Sequence, residues 1–489
     1  MTTPKLSINP IFDYSSINHA KERDVYMDIV LEAPERVDQK RVPLHLILAL
    51  DVSGSMSGSK LESVKQTVFK LIDNVTENDT IGMLSFNGSI KEILPALPMS
   101  SDNKTRARDS VNRLYASGMT NLGDAMCQAM ERAVIPDKKK ISRIVLLTDG
   151  CPTSGTCDHE GLSKMVSDMN HSVSMSTFGY GADYDAELMT SISKLGRGNS
   201  FYIDSDEACK KGFAMELGGL LSLYAQDIKV EFSPSNNFKV KEFMSDYEHK
   251  VNKGYRGLGG TRVSFTVDDI YFGEKKHVII KLTAPKASSA VCTRPTTVCK
   301  IEAEYLHTES KENETAEGTA RIQYVKSSRV QKTADAEVKK QVAMIKAARF
   351  QKEAKEKADK GDFEGAKMVL NSGIDYVKGV KGAMGSVGVA VMDSFRTTLA
   401  DCSDQFTYSS IGSKKLRSNI RGLTMNRASS ADSMAYSYSN EVTKGMVTSF
   451  LSPNDSNVSI NVDGSGTGTD DGTTGTDDGK KKGKSRKSK

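Results

Sequence analysis

Between residues 25 and 31, Val25, Met27, Ile29 and Leu31 alternate with Tyr26, Asp28 and Val30. A side-chain period of two marks a strand with one buried face. No neighbouring segment reads as its partner, so it is expected to pair with a distant strand. From about residue 44 to 224, short apolar runs separate amphipathic stretches. Strands are expected at 44–50, 80–86, 90–94, 141–148, 172–178 and 200–203, and helices near 61–72, 104–115, 122–133, 162–169, 186–195 and 207–224. Continuously apolar strands alternating with helices require a largely parallel sheet covered on both faces, a doubly wound α/β unit. The Asn87-Gly88 pair is a hairpin signal and places one antiparallel strand near the edge.

After residue 224 the period of two returns at 228–232, 263–267, 278–282, 301–305 and 322–325. Short strands at this spacing describe an antiparallel β-sandwich. The strand at 25–31 is expected to complete it, which makes the α/β unit an insertion within or next to the sandwich. From 331 to 401 the chain turns helical: Val338, Val342 and Ile345 share a face, Lys360-Gly361-Asp362 forms a turn, and Phe363, Ala366 and Leu370 begin a return helix. The expected division is 1–42 for strands joining the sandwich, 43–224 for the α/β unit, 225–326 for the sandwich, and 327–402 for a helical region. Residues 403–453 are rich in Ser and Tyr and receive no assignment. The stretch 454–489, acidic and then basic, has almost no apolar residues and is expected to be disordered.

Charge first points to polyanions, because 67 Lys and Arg stand against 62 Asp and Glu, a net of +5. Seven of those positive charges lie in Lys480–Lys489, leaving the other 479 residues at −2. Nucleic-acid binding by the folded body is therefore not expected, and the basic tail is a solubilising segment or a nuclear-import address. Seven scattered cysteines do not form a secreted disulfide framework. No signal peptide and no apolar run near the ~20 residues of a membrane span are visible, so a cytoplasmic location is expected.

The segment Leu46-Ile47-Leu48-Ala49-Leu50-Asp51-Val52-Ser53-Gly54-Ser55 ends a buried strand in a carboxylate and follows it with two hydroxyls at alternate positions. Ligands of open α/β sheets bind at the carboxyl ends of strands. Hard cations such as Mg²⁺ take such oxygen donors. Two further segments add donors: Thr120, in a loop just before a helix, and Asp149, at the end of the strand containing Leu146-Leu147-Thr148.

This set resembles the metal-ion-dependent adhesion site of von Willebrand factor A domains, whose pattern is Asp-x-Ser-x-Ser with a separate Thr and a separate Asp. The resemblance covers about residues 43–224, and Met119 departs from a glycine often found before the Thr. It implies that Ser53, Ser55 and Thr120 bind a divalent cation through their hydroxyls, with Asp51 and Asp149 binding directly or through water. Mg²⁺ is the expected ion, with Mn²⁺ or Ca²⁺ as alternatives. Neutral hydroxyl ligands leave the ion electrophilic, so a Glu or Asp of a partner protein can complete its shell. The resemblance thus implies a non-enzymatic, cation-dependent adhesion or scaffold protein; the oligomeric state is not implied. Less specifically, the flanking regions resemble inter-alpha-trypsin-inhibitor heavy chains, bacterial A-domain proteins and plant ubiquitin ligases, although no Cys-x-x-Cys pair for a RING zinc site is present.

Competing readings of the same residues are weaker. Asp51, Ser53 and Ser55 alone could cap a helix. The stretch Gly54 to Lys60 has the wrong glycine spacing and Lys placement for a phosphate loop. A metal-assisted phosphohydrolase of the haloacid-dehalogenase kind needs a second Asp as general acid where this chain has Ser53, and a hydroxyl does not serve at neutral pH. A further alternative is a scaffold whose sandwich and helices carry the contacts.

Overall fold

The computed structural model describes residues 5–425, apart from 37–40, 136–139, 150–151, 169–172, 182–184, 204, 236, 253–260, 268, 327–328 and 403, together with residues 447–448. The expected disordered tail lies outside the described residues. The chain opens with β1 (Ser7–Phe12), β2 (Ser16–Asn18) and β3 (Arg23–Glu32).

The α/β unit follows as β4 (Leu44–Asp51), α1 (Ser59–Asn74), β5 (Thr80–Phe86), β6 (Ile90–Pro98), α2 (Ser101–Asn112), α3 (Leu122–Ala133), β7 (Ile141–Thr148), α4 (His159–Ser167), β8 (Val173–Tyr180), α5 (Ala186–Leu195), β9 (Arg197–Ile203) and α6 (Asp206–Leu221). Its sheet runs β6-β5-β4-β7-β8-β9, parallel except for β6, which forms the expected hairpin with β5. Every position of β4, β7 and β8 is buried, which is why these strands read as unbroken apolar runs. Apolar stripes of α1, α2 and α6 pack on one face and those of α3, α4 and α5 on the other. The last helix ends at Leu221, short of the expected 224, because the Ser222 hydroxyl donates to the Gly218 and Gly219 carbonyls and closes the final turn.

The sandwich is built from β10 (Leu223–Pro234), β11 (Lys239–Phe243), β12 (His249–Asn252), β13 (Arg262–Val267), β14 (Ile270–Tyr271), β15 (Lys275–Ala284), β16 (Thr296–His307) and β17 (Asn313–Val325). One sheet runs β1-β3-β15-β11 and the other β12-β13-β10-β16-β17-β2, with β14 also paired to β10. Two expectations need correction. The strand at 25–31 does have a near partner, since β1 pairs with β3 from Ser7↔Glu32 to Phe12↔Met27. Pro10 hid it, and an edge strand tolerates proline because one row of its backbone groups needs no ladder partner. The sandwich is also not wholly antiparallel, for β17 and β2 pair in parallel.

The helices α7 (Ala336–Asp359) and α8 (Phe363–Asp401) form the expected hairpin, turned at Gly361 with φ 80°. They are followed by a short α9 (Gln405–Thr407) and α10 (Ser413–Met425), in a stretch whose residues show no assignable period. Val338, Val342 and Ile345 of α7 pack with Ile279 of β15 and Met244, on the side of the sheet facing away from the sandwich core.

Candidate metal centre

Strand β4 has β5 on one side and β7 on the other, reached by separate excursions of the chain, so its carboxyl end lies at a topological switch point. Asp51 is the last residue of β4, and Asp149 directly follows β7. Both are buried, at 0% and 2% exposure. One Asp51 oxygen accepts the Ser53 N–H at 2.8 Å, bending the loop back over the strand end, and the other accepts the Thr148 hydroxyl. The Ser53 and Ser55 hydroxyls lie 3.1 Å apart, and Ser55 Oγ donates to Asp149 Oδ1 at 2.7 Å. Four of the five expected residues are thus linked in one hydrogen-bonded chain.

Thr120 reaches this edge by a different route. The Ser117 N–H donates to the Val52 carbonyl at 2.7 Å and the Gly54 N–H to the Gly118 carbonyl at 3.0 Å, so the 117–121 loop is stitched to the serine loop. Gly118 takes φ +81°, a conformation that suits a residue without Cβ, and this explains why glycine stands one position before the exposed Met119. The Thr120 backbone is held by Thr153, while its hydroxyl makes no hydrogen bond with the described residues. Asn121 then caps α3.

The donor set suits a hard, six-coordinate ion. An Mg²⁺–O distance of about 2.0–2.1 Å in an octahedron places adjacent ligand oxygens about 2.9 Å apart. The 3.1 and 2.7 Å separations along Ser53, Ser55 and Asp149 bracket that edge. Electrostatics point the same way, for burial pushes the Asp51 carboxyl up to about 6, the hydrogen bonds from Thr148 and Ser53 oppose the rise, and the Asp149 charge adds to it. A cation relieves such crowding of negative charge.

The sequence reading missed two groups at this site. Thr148 holds Asp51 from the neighbouring strand, and the Lys60 ammonium binds Asp149 Oδ2. A run of apolar residues ending in Thr gives no sign of the first. The second could have been found by asking what the N-terminal turn of α1 faces.

Beside the loop lies a cavity of about 370 Å³ whose wall includes Val52 and Ser117, with Lys91 and Arg113 among its lining. Tyr115, also lining it, is 75% exposed, and Met119 is 53% exposed.

Comparison with known proteins places these residues in a family context. The von Willebrand factor type A domain model matches residues 45–213, and the α/β unit is a domain of that type. Among curated proteins, the chain is 30% identical over 220 residues to the uncharacterized protein YfbK of Escherichia coli, a match covering 44% of this chain and 38% of that protein. It is 28% identical over 213 residues to inter-alpha-trypsin inhibitor heavy chain H4 of Sus scrofa, covering 41% of this chain and 23% of the relative. It is 25% identical over 256 residues to the E3 ubiquitin-protein ligase WAV3 of Arabidopsis thaliana, covering 51% and 32%. The chain therefore spans well under half the length of each of these relatives. The solved von Willebrand factor type A protein from Catenulispora acidiphila has a similar fold at 14% identity, with a TM-score of 0.61 over 84% of this chain and 96% of that one. The ArnB paralog VWA2 of Sulfolobus acidocaldarius gives a TM-score of 0.53 at 13% identity, over 86% and 99%. The likeness in fold therefore extends well beyond the α/β unit.

Proposed function

We propose that this protein binds a partner protein through a divalent cation, Mg²⁺ in the first instance, held by Ser53, Ser55, Thr120, Asp51 and Asp149, and that the ion captures a Glu or Asp side chain of the partner. The observation that carries the reading is the hydrogen-bonded run Ser53–Ser55–Asp149 laid against the buried Asp51 at the sheet's switch point. When bound, the ion supplies a Lewis-acidic position for a carboxylate oxygen. The protein's own contribution is to present hydroxyls and buried carboxylates in place, so that little reorganisation opposes binding. Exposed Tyr115 and Met119 offer apolar contact beside the site, and Lys91 and Arg113 favour an acidic partner electrostatically. A cytoplasmic setting is part of this proposal, and among the described residues no cysteine is joined to another by a disulfide. Among the described residues, no helix is long and apolar enough to cross a membrane.

Partners retained by the full chain in Mg²⁺ are expected to elute when EDTA is added, and Asp149→Ala is expected to lose them while remaining folded by circular dichroism. Equal recovery of the same proteins in Mg²⁺ and in EDTA sinks the reading.

A further inference from the structure

Lys60 stands in the first turn of α1, where the positive end of the helix dipole disfavours a cation. The helix gains nothing there from a side-chain cap either, because its N-cap is Gly58. Lys60 nonetheless directs its ammonium to Asp149 Oδ2, while Ser55 occupies the other oxygen of the same carboxylate. The opposite wall leaves room for it: Gly181 adopts φ +78°, and a Cβ at that position would come within 3.1 Å of Lys60 Cε and 3.2 Å of Nζ. The aspartate is 0% exposed at its side chain, whereas the lysine side chain retains 30% exposure and so has a path to water.

We propose that Lys60 is a built-in counter-ion, holding Asp149 in the metal-free protein and releasing it when a divalent cation enters. The proposal rests on the metal reading above and goes beyond it by assigning a role to a residue outside the ligand set. Two buried carboxylates in one site are costly without a cation. An ammonium already bonded to one of them supplies a tethered positive charge. A divalent ion sharing that carboxylate would face the ammonium at close range, and the repulsion drives Lys60 toward solvent. Ion binding is thereby weakened by the loss of an existing ion pair. Occupancy becomes conditional on ion concentration and on the extra stabilisation from a partner's carboxylate.

The test is Mg²⁺ titration of the full chain by calorimetry, comparing the wild type with Lys60→Met, which keeps the aliphatic stem without the charge, and Lys60→Arg, which keeps the charge. Lys60→Met is expected to bind Mg²⁺ about tenfold more tightly, equivalent to roughly 1.4 kcal/mol, and Lys60→Arg no more tightly than wild type. Thermal melting supplies a second readout. In EDTA, Lys60→Met is expected to melt below wild type, and saturating Mg²⁺ is expected to raise its midpoint more than that of wild type. Equal or weaker Mg²⁺ binding by Lys60→Met, or unchanged melting in EDTA, overturns the proposal while leaving the metal reading intact. If neither wild type nor Lys60→Met takes up Mg²⁺, the metal reading fails and this proposal falls with it.

Discussion

Asp13 is buried directly after β1, and a single one of its oxygens, Oδ1, accepts the N–H groups of Tyr14 and Tyr26, each at 3.0 Å. Burial raises its carboxyl from the ordinary 3.8 to about 6, with the backbone hydrogen bonds and Arg23 working in the other direction. A folded-state value above the unfolded one means that folding takes up a proton between them. The associated stability is fully present below about pH 3.8 and is lost as pH rises through about 6. Asp13→Asn keeps an oxygen for both N–H groups and removes the charge. It is expected to gain about 1–3 kcal/mol at pH 7.5, seen as a higher urea midpoint, and little at pH 4. An unchanged midpoint at pH 7.5 counts against this account. Asp51, Ser53, Ser55 and Asp149 were legible because carboxylates and hydroxyls at the ends of apolar strands have a place fixed by the sheet itself. In the sequence Lys60 reads only as a failed phosphate-loop lysine, since its partner lies 89 positions away.

At the scale of elements, the patterns survived wherever local period and burial agree. The helices α3 and α5 begin and end where their apolar periods do, since Asn121 and Asp185 cap the first turns. The turn between α7 and α8 was equally readable, because Gly361 adopts a left-handed conformation that other residues resist. Gly361→Ala is therefore expected to weaken this corner by about 1 kcal/mol. The check is amide exchange at the facing ends of the two helices, expected to quicken about fivefold. No change in exchange would mean that the turn contributes nothing to their registry. Strands β1 and β2 escaped notice for the opposite reason: one contains Pro10 and the other has three residues, so neither carries a period long enough to count. Their pairing is decided by strands remote in sequence or by the edge position.

At the scale of the molecule, the α/β unit and the sandwich are joined by a buried ion cluster. Arg143 of β7, wholly buried, lies 3.4 Å from Glu216 of α6 and donates to Asp269, between β13 and β14, at 2.8 Å. Gln226 adds a hydrogen bond to Asp269, and Ser176 and Asn199 bond Glu216. A charge within an interior strand is not recognisable from a pattern of apolar residues, because its counter-charges come from elsewhere in the chain. Arg143→Met leaves two buried carboxylates without their cation, and a loss of about 3–5 kcal/mol is expected. Chemical denaturation reads it, and a change below 1 kcal/mol would show that the cluster does not hold the two parts together. The chain enters the α/β unit from β3 and leaves it into β10. These strands belong to different sheets, each flanked on both sides, β3 by β1 and β15, and β10 by β13 and β16. A pull on the α/β unit, such as the proposed partner would exert, is therefore transmitted to both layers at once through interior strands. Separating the α/β unit from its base requires pulling out a strand paired on both sides rather than unpicking one edge, which makes the insertion a mechanical anchorage for that unit.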